Sequence, residues 1–306
     1  GLETGAGFIK KQGIKIGDEV KIFFQDGGMV EAAPDDFSPP TRLPGSEYFI
    51  ETLRKTALKG NNFTLQDILV DAGAYRKYAI SYQSDGVRVS GVMNVPSGPV
   101  PAGGFPVLIL NHGLIHAEVY FSGRGSKREQ DFFTRRGYVT VHPDYRGLGA
   151  DVGRACPATL SWTQDGCQHD FYVGYTRDVM NLVDALKKSS PSFMDLNRIG
   201  MWGHSMGGGI AARVAALAPE IRAYVLFAPI SAGVEDNFYE LKEEELSRLA
   251  RTYGIGEGAS KIYGKMSPLG YFRDLQAPVQ IHHGTADADV PIEFSEKMFS
   301  ALRRLG

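Results

Sequence analysis

The run Gly200-Met201-Trp202-Gly203-His204-Ser205-Met206-Gly207-Gly208 restricts this chain more than any other. Before it, Arg198 to Trp202 form a short apolar stretch of strand type. After it, Gly209 to Ala218 are alanine-rich with apolar positions at helical spacing. A serine at such a junction sits where a strand turns sharply into a helix, on strained backbone, with its hydroxyl projecting from the sheet edge. Gly203 and Gly207 are needed because a side chain at either position would meet the neighbouring strand or helix. The helix beyond Ser205 aims free N–H groups and a positive dipole end at any oxyanion that forms there. A Gly-rich turn holding a serine by chance is the competing reading. The strand–turn–helix context favours Ser205 as a nucleophile.

The remaining pattern alternates strands and helices. Tyr75–Tyr82 and Val87–Val95 flank Ser84-Asp85-Gly86 and predict a hairpin. Phe105 to Leu110 is a continuous apolar run, a buried parallel strand, and it leads into Asn111-His112-Gly113-Leu114. A helix is expected around 126–136, a strand over 138–141, a helix over about 171–188 and a strand over 223–227. Pro278 to His283 is another strand-type run. Asp287 and Asp289 follow it, then Val290-Pro291 and a helical pattern from Ile292. Asp289 can serve as a cap for that helix, and Asp287 is the preferred acid for orienting an imidazole. This order predicts an α/β fold with a mostly parallel central sheet covered by helices on both faces.

In combination, Asn111-His112-Gly113, Asp144-Tyr145-Arg146-Gly147, Gly203-His204-Ser205-Met206-Gly207-Gly208 and His283-Gly284-Thr285-Ala286-Asp287 resemble the α/β-hydrolase superfamily. More narrowly they are similar to its prolyl-oligopeptidase-like and dienelactone-hydrolase-like branch, over about residues 75–306. The resemblance implies a Ser-His-Asp hydrolase with its triad in the order Ser, Asp, His. The backbone N–H groups of Leu114 and Met206 are then the oxyanion donors. His112 is open to two readings, a base or a residue that fixes its own loop. Asp144 and Arg146 are expected in an ion-paired loop on the active-site floor.

The triad histidine of this branch follows the acid on the loop after one more strand. Here all seven histidines (His112, His116, His142, His169, His204, His282 and His283) lie upstream of Asp287. His282 and His283 read as core or loop-fixing residues, and His204 as a packing residue. Three explanations stay open. A C-terminal segment or second chain carries the histidine, the chain is cut short, or an upstream histidine substitutes.

Residues 1–74 are expected to be an N-terminal arm with a short helix over 48–57, and 75–306 the hydrolase domain. An insertion over about 231–270 is expected to cap the serine, and Phe238, Tyr239, Tyr253 and Tyr263 either line a substrate pocket or anchor the cap. Cys156 and Cys167 share one loop, Arg154 to His169, with no zinc-type spacing. They predict a disulfide, with two free thiols as the alternative, and through it a secreted or periplasmic location. Net charge of −2 gives no basic excess for nucleic acid, and no run approaches a membrane span. No metal spacing, dinucleotide fingerprint or phosphate loop is present, so no cofactor is expected. Nothing in the first hundred residues suits a propeller, which shifts the expectation from peptidase to esterase. The leading expectation is a carboxylesterase that cleaves small to medium esters through an acyl-enzyme. The alternatives are a peptidase on short peptides, or a silent hydrolase fold used for binding.

Overall fold

The computed structural model describes residues 45–149, 172–240, 243–254 and 257–304. The arm up to residue 44 and the Cys156–Cys167 loop, with its predicted disulfide, lie outside the described residues. Eight strands form one sheet: β1 (Asn61–Asp71), β2 (Tyr75–Ser84), β3 (Val87–Pro96), β4 (Phe105–Asn111), β5 (Val139–Pro143), β6 (Met194–His204), β7 (Ala223–Phe227) and β8 (Val279–His282). Their spatial order is β1-β2-β3-β5-β4-β6-β7-β8. β1, β2, β3 and β5 pair antiparallel, and β5, β4, β6, β7 and β8 pair parallel. The helices are α1 (Ile50–Lys55), α2 (Lys127–Thr134), α3 (Val173–Ser189), α4 (Met206–Leu217), α5 (Glu243–Tyr253), α6 (Glu257–Met266) and α7 (Ile292–Arg303).

The two-residue period of a strand divides the core into two faces. Val107 and Ile109 of β4 join the main cluster with Met201 of β6, Leu182 and Leu186 of α3, Ile210 and Val214 of α4, and Met298 of α7. The intervening Leu108 and Leu110 form a smaller cluster with Trp202, against which Phe133 of α2 packs. Helices therefore cover both faces, as the alternating pattern predicts. The predicted hairpin is also present. Its turn residues Asp85 and Gly86 have φ of 52° and 86°, the doubly positive turn whose twist matches that of the strands.

One feature differs from expectation. β1 pairs along β2 in a stretch for which the sequence pattern offered no strand. Its residues are almost all exposed, Leu65, Ile68, Leu69 and Val70 among them, so no buried face stamped a period on the sequence. Within the insertion, α6 follows α5. Tyr263 and Met266 of α6 form a satellite cluster with Phe49, Val234 and Ala259, and Phe238 and Tyr253 pack against it. These insertion aromatics act as anchors within that cluster.

Candidate active site

β4 and β6 are parallel neighbours in register, with Asn111 opposite Gly203. Both strands end at the same sheet edge, so their following loops emerge side by side. At the end of β6, Ser205 has φ 52° and ψ −121°, a combination that L-residues rarely adopt. The surroundings over-determine it. Its N–H donates to the Phe227 carbonyl at 3.0 Å, and its carbonyl accepts from Gly208 at 2.9 Å, Gly209 at 3.2 Å and Ile230 at 3.1 Å. The predicted need for glycine is met on both sides. A Cβ on Gly203 would lie 2.2 Å from the Gly207 carbonyl oxygen, and one on Gly207 would lie 2.1 Å from the Asn111 carbonyl oxygen. Met206 is the first residue of α4, so its N–H has no intrahelical acceptor. Among the described residues, nothing hydrogen-bonds to the Ser205 hydroxyl.

The loop after β4 lies directly against this elbow. A Cβ on Gly113 would lie 3.2 Å from Ser205 Cβ and 3.2 Å from His204 Nδ1. Leu114, the next residue, is exposed. His112 is fully buried, and its Nδ1 lies 2.7 Å from the Gly113 carbonyl, so Nδ1 carries the proton and donates it. The ring stacks on Tyr120 at 5.0 Å, His142 at 5.1 Å and Tyr145 at 4.4 Å. Burial pushes its pKa below the ordinary imidazole value. Of the two readings of His112, this geometry matches the loop-fixing one.

The floor is built differently from the expected ion-paired loop. Arg146 does pair, with Asp178 at 2.8 Å. Asp144 is also fully buried, but hydroxyls and one backbone N–H hold it. Tyr120 donates to it at 2.7 Å, Ser90 at 2.7 Å, Ser122 at 2.5 Å and the Gly123 N–H at 3.3 Å. These donors come from β3 and from the segment before α2. Nothing in the local sequence around Asp144 announces them.

Asp287 lies in the turn after β8. Its Oδ1 accepts the N–H groups of Asp289 and Val290, both at 3.0 Å. These bonds hold its carboxyl below the usual range, with smaller contributions from His283 and His204. No hydrogen bond from a described residue reaches Oδ2. Asp289 does not cap α7, whose N-cap residue is Pro291 with no side-chain cap. His283 is nearly buried and lies 3.6 Å from Asp287 Oδ2, but its ring is already committed. Nε2 lies 2.9 Å from the Val290 carbonyl and so must donate, while Nδ1 accepts from the Ser295 hydroxyl at 2.7 Å. His282 stacks on Phe227 at 5.2 Å. His204 stands exposed at the strand end, with its ring stacked on Trp202 at 6.3 Å. Desolvation lowers its pKa, against the opposing pull of the Glu129 and Asp287 carboxylates. Among the described residues, no three His, Cys, Asp or Glu side chains come together as a metal site, and no helix is long and apolar enough to cross a membrane.

The model of the prolyl oligopeptidase family of peptidases matches residues 125–306, more than half of the chain and the whole stretch from α2 through the elbow to α7. The chain belongs to the prolyl oligopeptidase family. The chain has the α/β-hydrolase fold. It is 27% identical over 230 residues to the uncharacterized peptidase YuxL of Bacillus subtilis, covering 72% of this chain and 32% of that protein. The chain thus spans about a third of the length of that relative. Its fold is similar to that of acetyl xylan esterase 1 from Thermoanaerobacterium, with a TM-score of 0.60 at 20% identity, over 85% of this chain and 84% of the other. It is also similar to the acylaminoacyl peptidase of Pyrococcus horikoshii, with a TM-score of 0.58 at 20% identity, over 76% of this chain and 36% of the other. The family's fold thus occurs with both esterase and peptidase names.

Proposed function

We propose that this family member is a carboxylesterase in which Ser205 attacks the acyl carbon, the N–H groups of Met206 and Leu114 hold the oxyanion, and Asp287 orients the imidazole that takes the serine proton. The observation that carries the reading is the elbow. Ser205 is held at φ 52° by four backbone hydrogen bonds, with an uncommitted hydroxyl and the Gly113 loop against its Cβ. Holding such a conformation costs about 1–3 kcal/mol, and exposing a nucleophile is a reason to hold it. Asp287 supports the reading through its two oxygens. One is saturated by backbone N–H groups, which fixes the carboxylate, and the other is open to an imidazole N–H.

Hydrolysis then proceeds through an acyl-enzyme on Ser205 Oγ. Oγ bonds to the acyl carbon as its proton passes to the imidazole. The alcohol departs with that proton, and water repeats the sequence to release the acid. We place the imidazole on a C-terminal segment or second chain; among the described histidines, His283 is already bonded on both nitrogens and His112 donates to its own loop. The preference for esters follows from leaving groups. An amine must be protonated as it leaves, whereas an alkoxide or phenoxide needs less help, so an ester makes the lesser demand on the site.

The test uses the chain together with the segment or partner that carries the imidazole, compares 4-nitrophenyl acetate and butyrate with peptide 4-nitroanilides for wild type and Ser205→Ala, and labels the protein with a fluorophosphonate probe. Ester turnover that exceeds anilide turnover, vanishes in Ser205→Ala and accompanies probe labelling at Ser205 alone is expected. Full turnover by Ser205→Ala would refute the assignment. Anilide turnover equal to ester turnover would move the reading to a peptidase.

A further inference from the structure

We infer that a cavity at the N-terminal end of α2, next to the His112 loop, is a subsite for a carboxylate carried by the substrate, an inference that rests on the hydrolase reading above. The cavity has a volume of about 540 Å³ and is lined by Phe121, Arg124, Gly125, Lys127, Arg128 and Glu129. It borders the chemistry through two close approaches. A Cβ on Gly125 would lie 3.0 Å from His112 Cβ, and the Gly113 that follows His112 lies against Ser205. On the other side, the Glu129 carboxylate acts on His204, the residue before the serine.

The charge in this wall is lopsided. Arg124, Lys127 and Arg128 face the single carboxylate of Glu129, and none of the three cations is ion-paired among the described residues. Arg124 donates to the Val119 carbonyl, and the Arg124 and Lys127 cations lie 5.6 Å and 4.6 Å from the Phe121 ring centre. Lys127 and Arg128 also open α2, at the positive end of its dipole, where acids are favoured and cations penalised. Two unpaired cations at that end conflict with local electrostatics, and conflicts of this kind concentrate at functional sites. A bound anion would relieve it. The buried hydroxyl of Ser126, between two lining residues, has no partner among the described residues and makes no cap bond, so it does not occupy the first-turn N–H groups.

The wall is also rigid. Tyr120 and Ser122, on either side of Phe121, both bond to the buried Asp144, and Gln130 Nε2 donates to the Gly123 carbonyl at 2.9 Å. The cations therefore project from fixed backbone, which lowers the ordering cost of binding. The planar Arg124 and Arg128 forks suit a carboxylate. Glu129 in the same wall disfavours a second negative charge, so a carboxylate fits better than a phosphate dianion.

The test titrates phenylacetate and neutral phenylacetamide into Ser205→Ala protein by calorimetry, at low and high salt. We expect phenylacetate to bind at least about tenfold more tightly than the amide, and to weaken as salt rises. Lys127→Gln/Arg128→Gln, both at exposed positions, should weaken phenylacetate at least about tenfold and leave the amide unchanged. Arg124→Gln should act in the same direction if the double variant proves unstable, and Glu129→Gln should tighten phenylacetate. Equal binding of the two probes, binding of neither, or indifference to the charge substitutions overturns the inference. Because the nucleophile is absent, the outcome is read independently of whether the chain hydrolyses esters.

Discussion

Gly207→Ala tests the contact on which the site depends. The new Cβ would lie 2.1 Å from the Asn111 carbonyl oxygen, 2.4 Å from the Asn111 carbonyl carbon and 2.6 Å from the His112 carbonyl oxygen. Ordinary contact begins at 3.4 Å, so the elbow and the β4 loop must part by roughly 1 Å, and every obstructing atom is backbone. Overpacking a tight core costs about 1–3 kcal/mol, and the absence of a flexible side chain to yield puts this site at about 3 kcal/mol. For a domain of this size, that corresponds to a fall in Tm of roughly 5–10 °C. The same displacement opens the gap between the Met206 and Leu114 N–H groups, and an error of about 1 Å in a catalytic constellation costs on the order of 100-fold in rate. Calorimetric unfolding gives the first quantity, and the second-order rate of fluorophosphonate labelling at Ser205 gives the second. Gly264→Ala is the matched control. It lies within α6 with nothing within 4 Å of its Cβ position, and should gain about 0.5–1 kcal/mol with no change in labelling. A Gly207→Ala protein that melts and labels like wild type would refute the reasoning, since the predicted collision could not then be real.

His142 is fully buried with no bonded nitrogen among the described residues, and burial holds its pKa well below the ordinary value of about 6.5. The unfolded chain therefore binds a proton that the folded chain refuses, so stability falls as pH drops below about 6.5, by up to about 1.4 kcal/mol per pH unit. In urea titrations across that range, His142→Phe should flatten this acid limb by about one proton. Asp85→Asn keeps a residue that tolerates φ of 52° but takes the charge from the partner of Arg177, whose guanidinium is largely buried and lies 2.5 Å from Asp85 Oδ1. A loss of about 2–4 kcal/mol in denaturant midpoints is expected, and an unchanged midpoint would refute a stabilising role for the pair.

How legible each feature was in the sequence depended on how local its cause is. The elbow, the hairpin and the strand at Phe105 were readable because each is specified within about ten consecutive residues by an apolar run or an obligatory glycine. β1 escaped because sheet periodicity is a record of burial, and Ile68 and Leu69 of that strand remain half exposed. His204 reads as a packing residue from its place in the elbow, and it does stack on Trp202, but the sequence does not show that it stands at the open edge where Glu129 and Asp287 act on it. The Asp144 cage was illegible for a different reason. Its donors are ordinary serines, a tyrosine and a backbone N–H, and only the fold brings Ser90 of β3 to Ser122 before α2.

These observations make register the link between sequence and chemistry. The parallel pairing of Asn111 with Gly203 requires β4 and β6 to end level, so two loops distant in the chain leave the sheet together. Gly113, Gly203 and Gly207 then let the backbones close to a separation that no Cβ could share. β7 enters the same arrangement, since the carbonyl of Phe227, opposite His204, holds the Ser205 N–H. β8 ends beside Phe227 and delivers the turn that carries Asp287. A slip of one residue in β4 would move Leu108 and Leu110 into the opposite core and carry the 112–114 loop away from Ser205. The buried pattern of β4 therefore fixes the strand's register and, through it, the distance between the serine and the N–H groups proposed to serve it.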